Sequence, residues 1–240
     1  MDDSDEPKRR AKGLRSKRDQ RRYLLWEALC RHAALDQATV NLACDVADAA
    51  FNTVWHDQHV TWTVETRLRV VLAGLGRSLP AGELAAVVRD YQMMEVDIVP
   101  DLVPGCRDAL AVLAGRFKLA VVSDAIVTPG SHLRLLLDRH GIKDYFSGFA
   151  FSDEVGHSKP HRAMFAAAAQ QLDVPIDEMI HIGDRDHNDI QGAQALGMKA
   201  VLLAASRAVD QPHTSADAVC RHYRDLPGII DRLLTGAIVR

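Results

Sequence analysis

The sequence predicts an α/β protein, in which a doubly wound parallel sheet with helices on its faces is joined to a separate helical cap. Short apolar runs alternate with helical segments over residues 104–234, whereas residues 23–97 show mainly helical periodicity. The chain has 240 residues, of which 48% are apolar and 25% charged, so it can bury a core domain and a smaller companion. We therefore expect three parts: a charged arm over residues 1–22, a helical cap over residues 23–97 and a core over residues 98–240.

The overall composition argues against several classes of partner. A net charge of −3 favours neither nucleic acid nor an anionic membrane surface. No apolar run reaches the roughly 18 residues of a membrane span, and the amino-terminal stretch, acidic and then basic, does not predict a secretion signal. The cysteines show no C-x-x-C or zinc spacing, so we interpret them as reduced thiols of a cytoplasmic protein. They are Cys30, Cys44, Cys106 and Cys220.

The arm over residues 1–22 is dominated by charge, because acidic side chains are followed there by a run of Lys and Arg. Such a run is usually a solvated helix face or a frayed arm, and we expect the same here. The alternative is a basic lip that steers an anionic substrate toward its site. Helical spacing then predicts four helices near residues 17–34, 38–57, 63–75 and 81–95.

Beyond residue 98 the predicted elements alternate between strand and helix. Apolar runs of strand length are bounded by turn residues, and helical segments tend to begin at a proline or a capping residue and to end at a glycine. Thr128-Pro129, for example, combines a cap hydroxyl with a proline at the first helical position. The predicted strands cover residues 118–122, 149–151, 179–182, 200–203 and 218–220, and the predicted helices cover residues 106–113, 128–140, 160–172, 188–196 and 227–234.

One stretch, residues 179–203, forms a strand–loop–helix–strand unit that organises the predicted site. Its first strand ends in Gly183-Asp184, and Asp189 opens the helix that follows. In parallel sheets ligands gather at the carboxyl ends of the strands, and two carboxylates beside a glycine suit a hard cation. Equally, Asp186 or Asn188 could cap the helix, and Asp189 in the first turn could interact favourably with the positive end of the helix dipole. The unit alone leaves both interpretations open.

Polar residues follow strand ends at two further places. Ser123 follows the strand over residues 118–122, and Lys159 precedes a helix that begins at a proline. Right-handed crossovers can bring these residues to the same sheet edge as Asp184 and Asp189. There the serine and backbone N–H groups would hold phosphate oxygens, the lysine would supply a point charge, and Mg²⁺ would offset the remaining charge. Taken singly, the serine is more often a turn residue and the lysine a surface residue.

Three motifs in the chain resemble motifs II, III and IV of the haloacid dehalogenase-like hydrolase superfamily, in the branch with a helical cap after the first strand. The resemblance implies a Rossmann-like core under a mobile cap. It also implies that Ser123, with Asp124 beside it, holds the transferred phosphoryl group, that Lys159 holds both this group and the nucleophile, and that Asp184 ligates Mg²⁺ with Asp189 as second acid. The motifs are Val121-Val-Ser-Asp, Phe151-Ser-Asp-Glu-Val-Gly-His-Ser-Lys-Pro-His and His181-Ile-Gly-Asp-Arg-Asp-His-Asn-Asp-Ile-Gln-Gly-Ala.

The motif I of that family, an apolar strand ending in Asp-x-Asp, does not occur in this chain. Asp3-Ser4-Asp5 has the spacing, but the two residues before it are too few for a strand of about five residues. We expect the coding sequence upstream of Met1 to contain an apolar strand ending in Asp-x-Asp or Asp-x-Gly. The competing interpretation is a protein that binds a phosphorylated ligand or a partner protein without turnover.

The function that the resemblance implies is a Mg²⁺-dependent phosphatase acting on a small phosphorylated metabolite. An aspartate would attack the phosphoryl group, and water would hydrolyse the aspartyl-phosphate. The alternatives are a catalytically inactive binding module and a haloacid dehalogenase. His157 and His161, which flank Lys159, are interpreted as loop residues with access to substrate.

Overall fold

A computed structural model of the chain describes residues 1–236. Its helices are α1 (Asp5–Ala11), α2 (Lys17–Cys30), α3 (Gln37–Gln58), α4 (Val64–Gly74), α5 (Ala81–Asp97), α6 (Cys106–Ala114), α7 (Gly130–Arg139), α8 (Ser152–Val155), α9 (Arg162–Leu172), α10 (Gly192–Gln194) and α11 (Leu226–Thr235). Its strands are β1 (Ala120–Ser123), β2 (Gly148–Phe151), β3 (Ile180–Gly183), β4 (Lys199–Leu203) and β5 (Ala218–Cys220). The predicted α/β class is confirmed, and each strand lies within about two residues of its predicted position.

The amino-terminal arm contains helix α1, in which Asp5 and Arg9 are buried while many of the other arm residues are exposed. Asp5, in α1, is only 2% exposed, and its carboxylate forms an ion pair with Lys17 Nζ at 2.5 Å. Lys8 donates to the carbonyl oxygen of Val99 at 2.8 Å and to Asp101 at 2.6 Å, where the cap returns to the core. The arm is therefore held to the segment between the cap and the core by hydrogen bonds and an ion pair, which composition alone does not indicate.

Helices α2, α3, α4 and α5 pack together as the cap. Oxygens of Ser16, Asp36 and Thr63 each accept the backbone N–H three residues later, so the first three of these helices begin at side-chain caps. Apolar residues at helical spacing face inward, and Leu25 and Val40 are completely buried. The packing energy of this apolar face holds the helices in place.

The strands form two parallel groups. β1 pairs with β2, and β3, β4 and β5 pair in that order. Within residues 1–236 no strand joins β1 to β3, so the edge of β1 away from β2 and the edge of β3 away from β4 are both unpaired. All four residues of β1 are partly exposed, whereas Ala200 and Val201 of β4 are fully buried. Lys159 Nζ contacts both Val122 of β1 and Asp189, which in turn contacts His181 of β3, so the two unpaired edges lie on either side of a gap.

Two predicted helix starts differ in detail. Residues 186–191 form a π-helical turn before α10, where a regular α-helix over residues 188–196 is predicted. Thr128 does not cap α7, because its hydroxyl donates to Glu95 Oε2 at 2.7 Å instead. Across residues 1–236, no helix combines the length and apolar character that crossing a membrane requires.

Candidate active site

Lys159 lies at the centre of the site, in the loop between α8 and α9. Its backbone N–H donates to Asp124 Oδ1 at 2.9 Å, which ties the loop to the segment that follows β1. Its Nζ donates to Asp189 Oδ1 at 2.7 Å and to the carbonyl oxygen of Val122 at 3.1 Å. The structure therefore brings Asp124, Lys159 and Asp189 together beside the gap between β1 and β3.

Asp189 is almost completely buried and its carboxylate is fully engaged. Oδ1 lies near both Lys159 Nζ and His181 Nε2, the latter at 3.1 Å, and Oδ2 accepts the backbone N–H of Arg185 at 3.0 Å. Burial alone would raise the pKa of Asp189, but the Lys159 ammonium and the hydrogen bond from His181 hold it well below its usual range. A Cβ at Gly183 would overlap Asp189 Cγ, so the glycine permits this close approach.

The charge on Lys159 is stabilised from several sides. Burial would lower the pKa of the ammonium, but the carboxylates of Asp189, Asp124 and Asp184 raise it. Lys159 therefore remains a fixed cation at neutral pH, with its side chain only 11% exposed. A cation held in this way is suited to bind the oxygens of an anionic group.

Ser123 ends β1 beside this cluster but does not touch it. It is partly exposed, and its hydroxyl makes no hydrogen bond with residues 1–236, so it remains available to a ligand. The segment that follows is held by the fully buried Ser152, whose Oγ accepts the backbone N–H of Ala125 at 2.8 Å. This contact fixes the path of the chain just after Ser123 and Asp124.

The fit of a metal ion differs between the two predicted ligands. Asp184 is partly exposed, and its carboxylate makes no hydrogen bond within the described chain. Both oxygens of Asp189 are engaged by other groups, and in residues 1–236 no set of three or more His, Cys, Asp or Glu side chains is arranged to hold a metal ion. Asp184 suits Mg²⁺, which uses one or two protein carboxylates plus waters, while Asp189 here serves as the counter-ion of Lys159. The pairing of Asp184 with Asp189 as ligands stays a prediction.

His181 and Asn188 contribute to this cluster, although the sequence did not predict a role for either of them there. His181 lies in β3 and supports Asp189; its signal was a polar residue inside an otherwise apolar strand. Asn188, considered only as a helix cap, donates from Nδ2 to the carbonyl oxygen of Lys159 at 3.1 Å and lies 3.5 Å from Asp124 Oδ2. Both residues position the carboxylates and the lysine rather than offering free groups.

The cap contacts the core next to Lys159. The backbone N–H of Ser158 donates to the carbonyl oxygen of His59 at 2.8 Å, and Val60 forms an antiparallel bridge with His157. His157 and His161 stack with their ring centroids 3.8 Å apart and their planes 9° from parallel. The loop that carries Lys159 is thus covered by a cap loop and flanked by two imidazoles.

The motifs, the fold and the cluster agree with a family assignment made by comparison. A family model described as haloacid dehalogenase-like hydrolase matches residues 26–197. The match covers well over half of the chain, and the chain therefore belongs to the haloacid dehalogenase-like hydrolases. The predicted resemblance is confirmed at this level.

Relatives by sequence include named phosphatases. The chain is 30% identical over 145 residues to a glyceraldehyde 3-phosphate phosphatase of Methanopyrus kandleri, which is 60% of either chain. It is 33% identical over 126 residues to a ribulose-1,5-bisphosphate 5-phosphatase of Halopiger xanaduensis, covering 52% of this chain and 51% of the relative. The chain thus spans at most about three fifths of the length of these relatives.

Solved structures show the same fold at low sequence identity. A 2-haloacid dehalogenase from Pseudomonas syringae superposes with a TM-score of 0.62 at 19% identity, covering 90% of this chain and 92% of the other. A phosphatase of the family from Thermococcus onnurineus superposes with a TM-score of 0.57 at 22% identity, covering 86% of each chain. The Rossmann-like core with a helical cap is therefore shared, and these similarities are evidence for the fold alone.

Proposed function

We propose that this chain is a phosphoric monoester hydrolase that acts on a small phosphorylated metabolite in the cytoplasm. The observation that supports this most directly is the Lys159 ammonium, held 2.7 Å from Asp189 and 3.1 Å from the carbonyl oxygen of Val122 beside the end of β1. Ser123 and Asp124 follow at that strand end. A fixed cation beside a free hydroxyl matches the charge and hydrogen-bonding needs of a phosphoryl group.

The described residues divide the work of binding among them. Lys159 would hold phosphoryl oxygens through charge, and Ser123 would donate a hydrogen bond from its hydroxyl. Asp124 would orient the lysine loop, since it accepts the N–H of Lys159 at 2.9 Å. Asp184 would hold Mg²⁺, which when bound supplies further positive charge at the phosphoryl group.

The nucleophile is a separate part of the proposal, because Asp189 and Asp124 are engaged by Lys159. We propose that an aspartate at the end of a strand between β1 and β3 supplies it. Within the described residues 1–236 one edge of β1 and one edge of β3 are unpaired, and the apolar residues of β1 are partly exposed, which is the arrangement that an added strand would cover. That aspartate would attack the phosphorus, the alcohol would leave, and water would hydrolyse the aspartyl-phosphate.

The experiment compares the 240-residue chain with the same chain extended by its upstream codons. We expect the extended protein to release phosphate from p-nitrophenyl phosphate with Mg²⁺ present, and Lys159→Met to lower this rate about 100-fold or more. Lys143→Met is the matched control, since Lys143 is 41% exposed and only 3.5 Å from Asp138 at the surface. Upstream codons that encode no apolar strand ending in an aspartate would contradict the proposal for the nucleophile.

A second candidate is a binding protein without turnover. It is favoured by the engagement of Asp189 and Asp124, the two carboxylates that contact Lys159 within residues 1–236. This candidate predicts that a phosphorylated ligand raises the melting temperature while neither protein releases phosphate. A haloacid dehalogenase would instead release halide from a 2-haloacid, which an ion-selective electrode measures in the same preparations.

A further inference from the structure

The cap contains a cavity lined by arginines that the phosphoryl site does not use. Its volume is about 80 Å³, and it lies between α2, α3, α4 and α5, with Val127 of the loop after β1 on one side. About 10–15 Å³ of such volume is enough for one water molecule, so the cavity has room for a group the size of a phosphate or a carboxylate. Its polar lining includes Arg18, Arg21, Arg22, Asp48, Arg67 and Tyr91.

The charges around this cavity do not balance. Arg18 and Arg22 share Asp45, at 2.6 Å in the case of Arg18, and Arg67 pairs with Asp48 at 2.5 Å. Arg21 has no carboxylate of its own, and the nearest one, Glu95, shares Lys17 with Asp5. With Lys17 and Arg21 included, five cations meet four carboxylates, which leaves one positive charge in excess.

Arg21 is the least satisfied of these arginines. Its Nε is buried and has no hydrogen-bond partner among residues 1–236. Burial lowers the pKa of its guanidinium, and the neighbouring charge of Arg67 acts in the same direction. The residue as a whole is partly exposed, but a buried N–H without an acceptor is costly, so an anionic oxygen at Nε would stabilise the folded protein.

The rest of the lining also favours an anion. Burial raises the pKa of the Cys44 thiol to about 11 and raises the pKa of the Tyr91 hydroxyl, so both stay neutral and able to donate. Val64, Leu68 and Val71 line the cavity as well, and apolar walls strengthen charge interactions by excluding water. We propose that this cavity is an oxyanion-binding site, in which Arg21 and Arg67 bind a phosphate or carboxylate group.

Two sources could supply this group: a second anionic group on the substrate of the core site, or a free anion. The cavity adjoins the loop after β1, which begins at Asp124 of the core site, because Val127 lines the cavity and Arg67 Nη1 lies 3.5 Å from the carbonyl oxygen of Ile126. The first source rests on the proposed phosphatase function. The second does not, so anion binding at Arg21 stands independently of turnover.

The test follows the side-chain Nε–H signal of Arg21 by nuclear magnetic resonance in the full chain with ¹⁵N-labelled arginine. The signal is identified by its loss in Arg21→Met. We expect inorganic phosphate, with Mg²⁺ present, to shift it saturably, because a new acceptor would bind the N–H. Arg69, which is 64% exposed on α4 and pairs with Glu65, is the internal control and should not shift saturably. An Arg21 signal that stays unchanged across the titration would overturn the proposal.

Stability provides a second readout for the same variant. Without phosphate, Arg21→Met should match or exceed the melting temperature of the wild type, because it removes a buried N–H group that has no acceptor. Adding phosphate should raise the melting temperature of Arg21→Met less than that of the wild type or of Arg69→Met. The affinity for phosphate at this site should be weakened at least about tenfold. An equal phosphate-dependent shift in all three proteins would contradict the role of Arg21.

A series of linear bisphosphonates of increasing length separates the two sources. If one ligand spans both sites, affinity should peak at one length, and Arg21→Met should remove that peak while leaving the binding of a monophosphonate to the core site unaffected. If the cavity binds a free anion, affinity should not depend on length, but the Arg21 signal should still respond to inorganic phosphate. A protein that fails to release phosphate would contradict the phosphatase proposal without altering this signal.

Discussion

Lys159 Nζ lies 2.7 Å from Asp189 Oδ1, and the two side chains are only 11% and 2% exposed. Because both side chains are shielded from water, removing either partner would leave the other charge desolvated and without its counter-ion. The Lys159 ammonium also contacts the carbonyl oxygen of Val122, so the pair joins the end of β1 to the turn that follows β3. It therefore acts as a link between the two groups of strands as well as a candidate binding group.

This link can be measured by a double-mutant cycle. Lys159→Met should lower the free energy of unfolding by up to about 3–5 kcal/mol, because the buried Asp189 carboxylate loses its ammonium partner and keeps only His181 and the Arg185 N–H. Asp189→Asn in the same chain should recover much of that loss, since a neutral amide replaces the orphaned charge. Urea unfolding at pH 7 measures all four proteins. Additive effects of the two substitutions would contradict direct coupling.

The close approach of Gly183 to Asp189 gives a second prediction. Gly183→Ala should destabilise the protein by about 1–3 kcal/mol or more, because the added methyl group would overlap the buried carboxylate. Gly82→Ala is the control: Gly82 lies in α5 with open space around it, and alanine there should be neutral or stabilising by up to about 1 kcal/mol. Thermal unfolding of both variants checks the contrast, and similar losses would contradict the geometry.

The packing of the amino-terminal arm gives a third prediction. Asp5→Asn should lower the free energy of unfolding by about 1–3 kcal/mol, because Asp5 is 2% exposed and pairs with Lys17 at 2.5 Å. Lys17 keeps Glu95 as a partner at 2.9 Å, which holds the loss below that of an orphaned charge. Asp3→Asn, at an exposed position in the same arm, should change stability by less than about 0.5 kcal/mol. Equal and small effects would mean that the buried pair of Asp5 with Lys17 does not stabilise the arm.

The strands were predictable from sequence because short apolar runs bounded by turn residues are too short for a helix and indicate a buried strand. The run at residues 200–203, for example, is β4, whose inner residues are buried. Helix α1 was not predictable, since its polar residues gain stability from a tertiary partner, Lys17, that no local pattern identifies. The π-helical turn over residues 186–191 was not predictable for a related reason. It accompanies the contacts of Asp189 with Lys159 and of Asn188 with Asp124 and the Lys159 carbonyl, which are tertiary.

The candidate site was only partly predictable. The positions of polar residues at strand ends were enough to associate Lys159 with Asp189. Their spacing could not decide whether the Asp189 carboxylate binds a metal ion or the ammonium of Lys159. That choice depends on how closely Gly183 lets Asp189 approach and on His181, a contact across eight residues. The arginine cavity was not foreseen, because its members come from separate helices and the sequence shows only a run of charge.

His161 provides a prediction about pH. Its Nδ1 accepts the backbone N–H of Ala163 at 3.2 Å and so caps α9, which requires that nitrogen to be unprotonated. Burial lowers the pKa of His161, and the nearby His157 and His59 lower it further. The unfolded chain, with a histidine pKa of about 6.5, therefore binds more protons near and below that pH. The contribution of His161 to stability is present above this value and is lost as the pH falls through it.

Two variants separate the cap from the titration. His161→Ser keeps a capping oxygen without a titrating ring, so its stability should fall less than that of the wild type between pH 7 and 5. His161→Ala loses the cap as well and should be about 1 kcal/mol less stable than wild type at pH 7. Urea unfolding at several pH values gives the slopes. If His161→Ser retained the slope of the wild type, another group would be responsible, because a hydroxyl cap accepts the Ala163 N–H equally at both ends of that range.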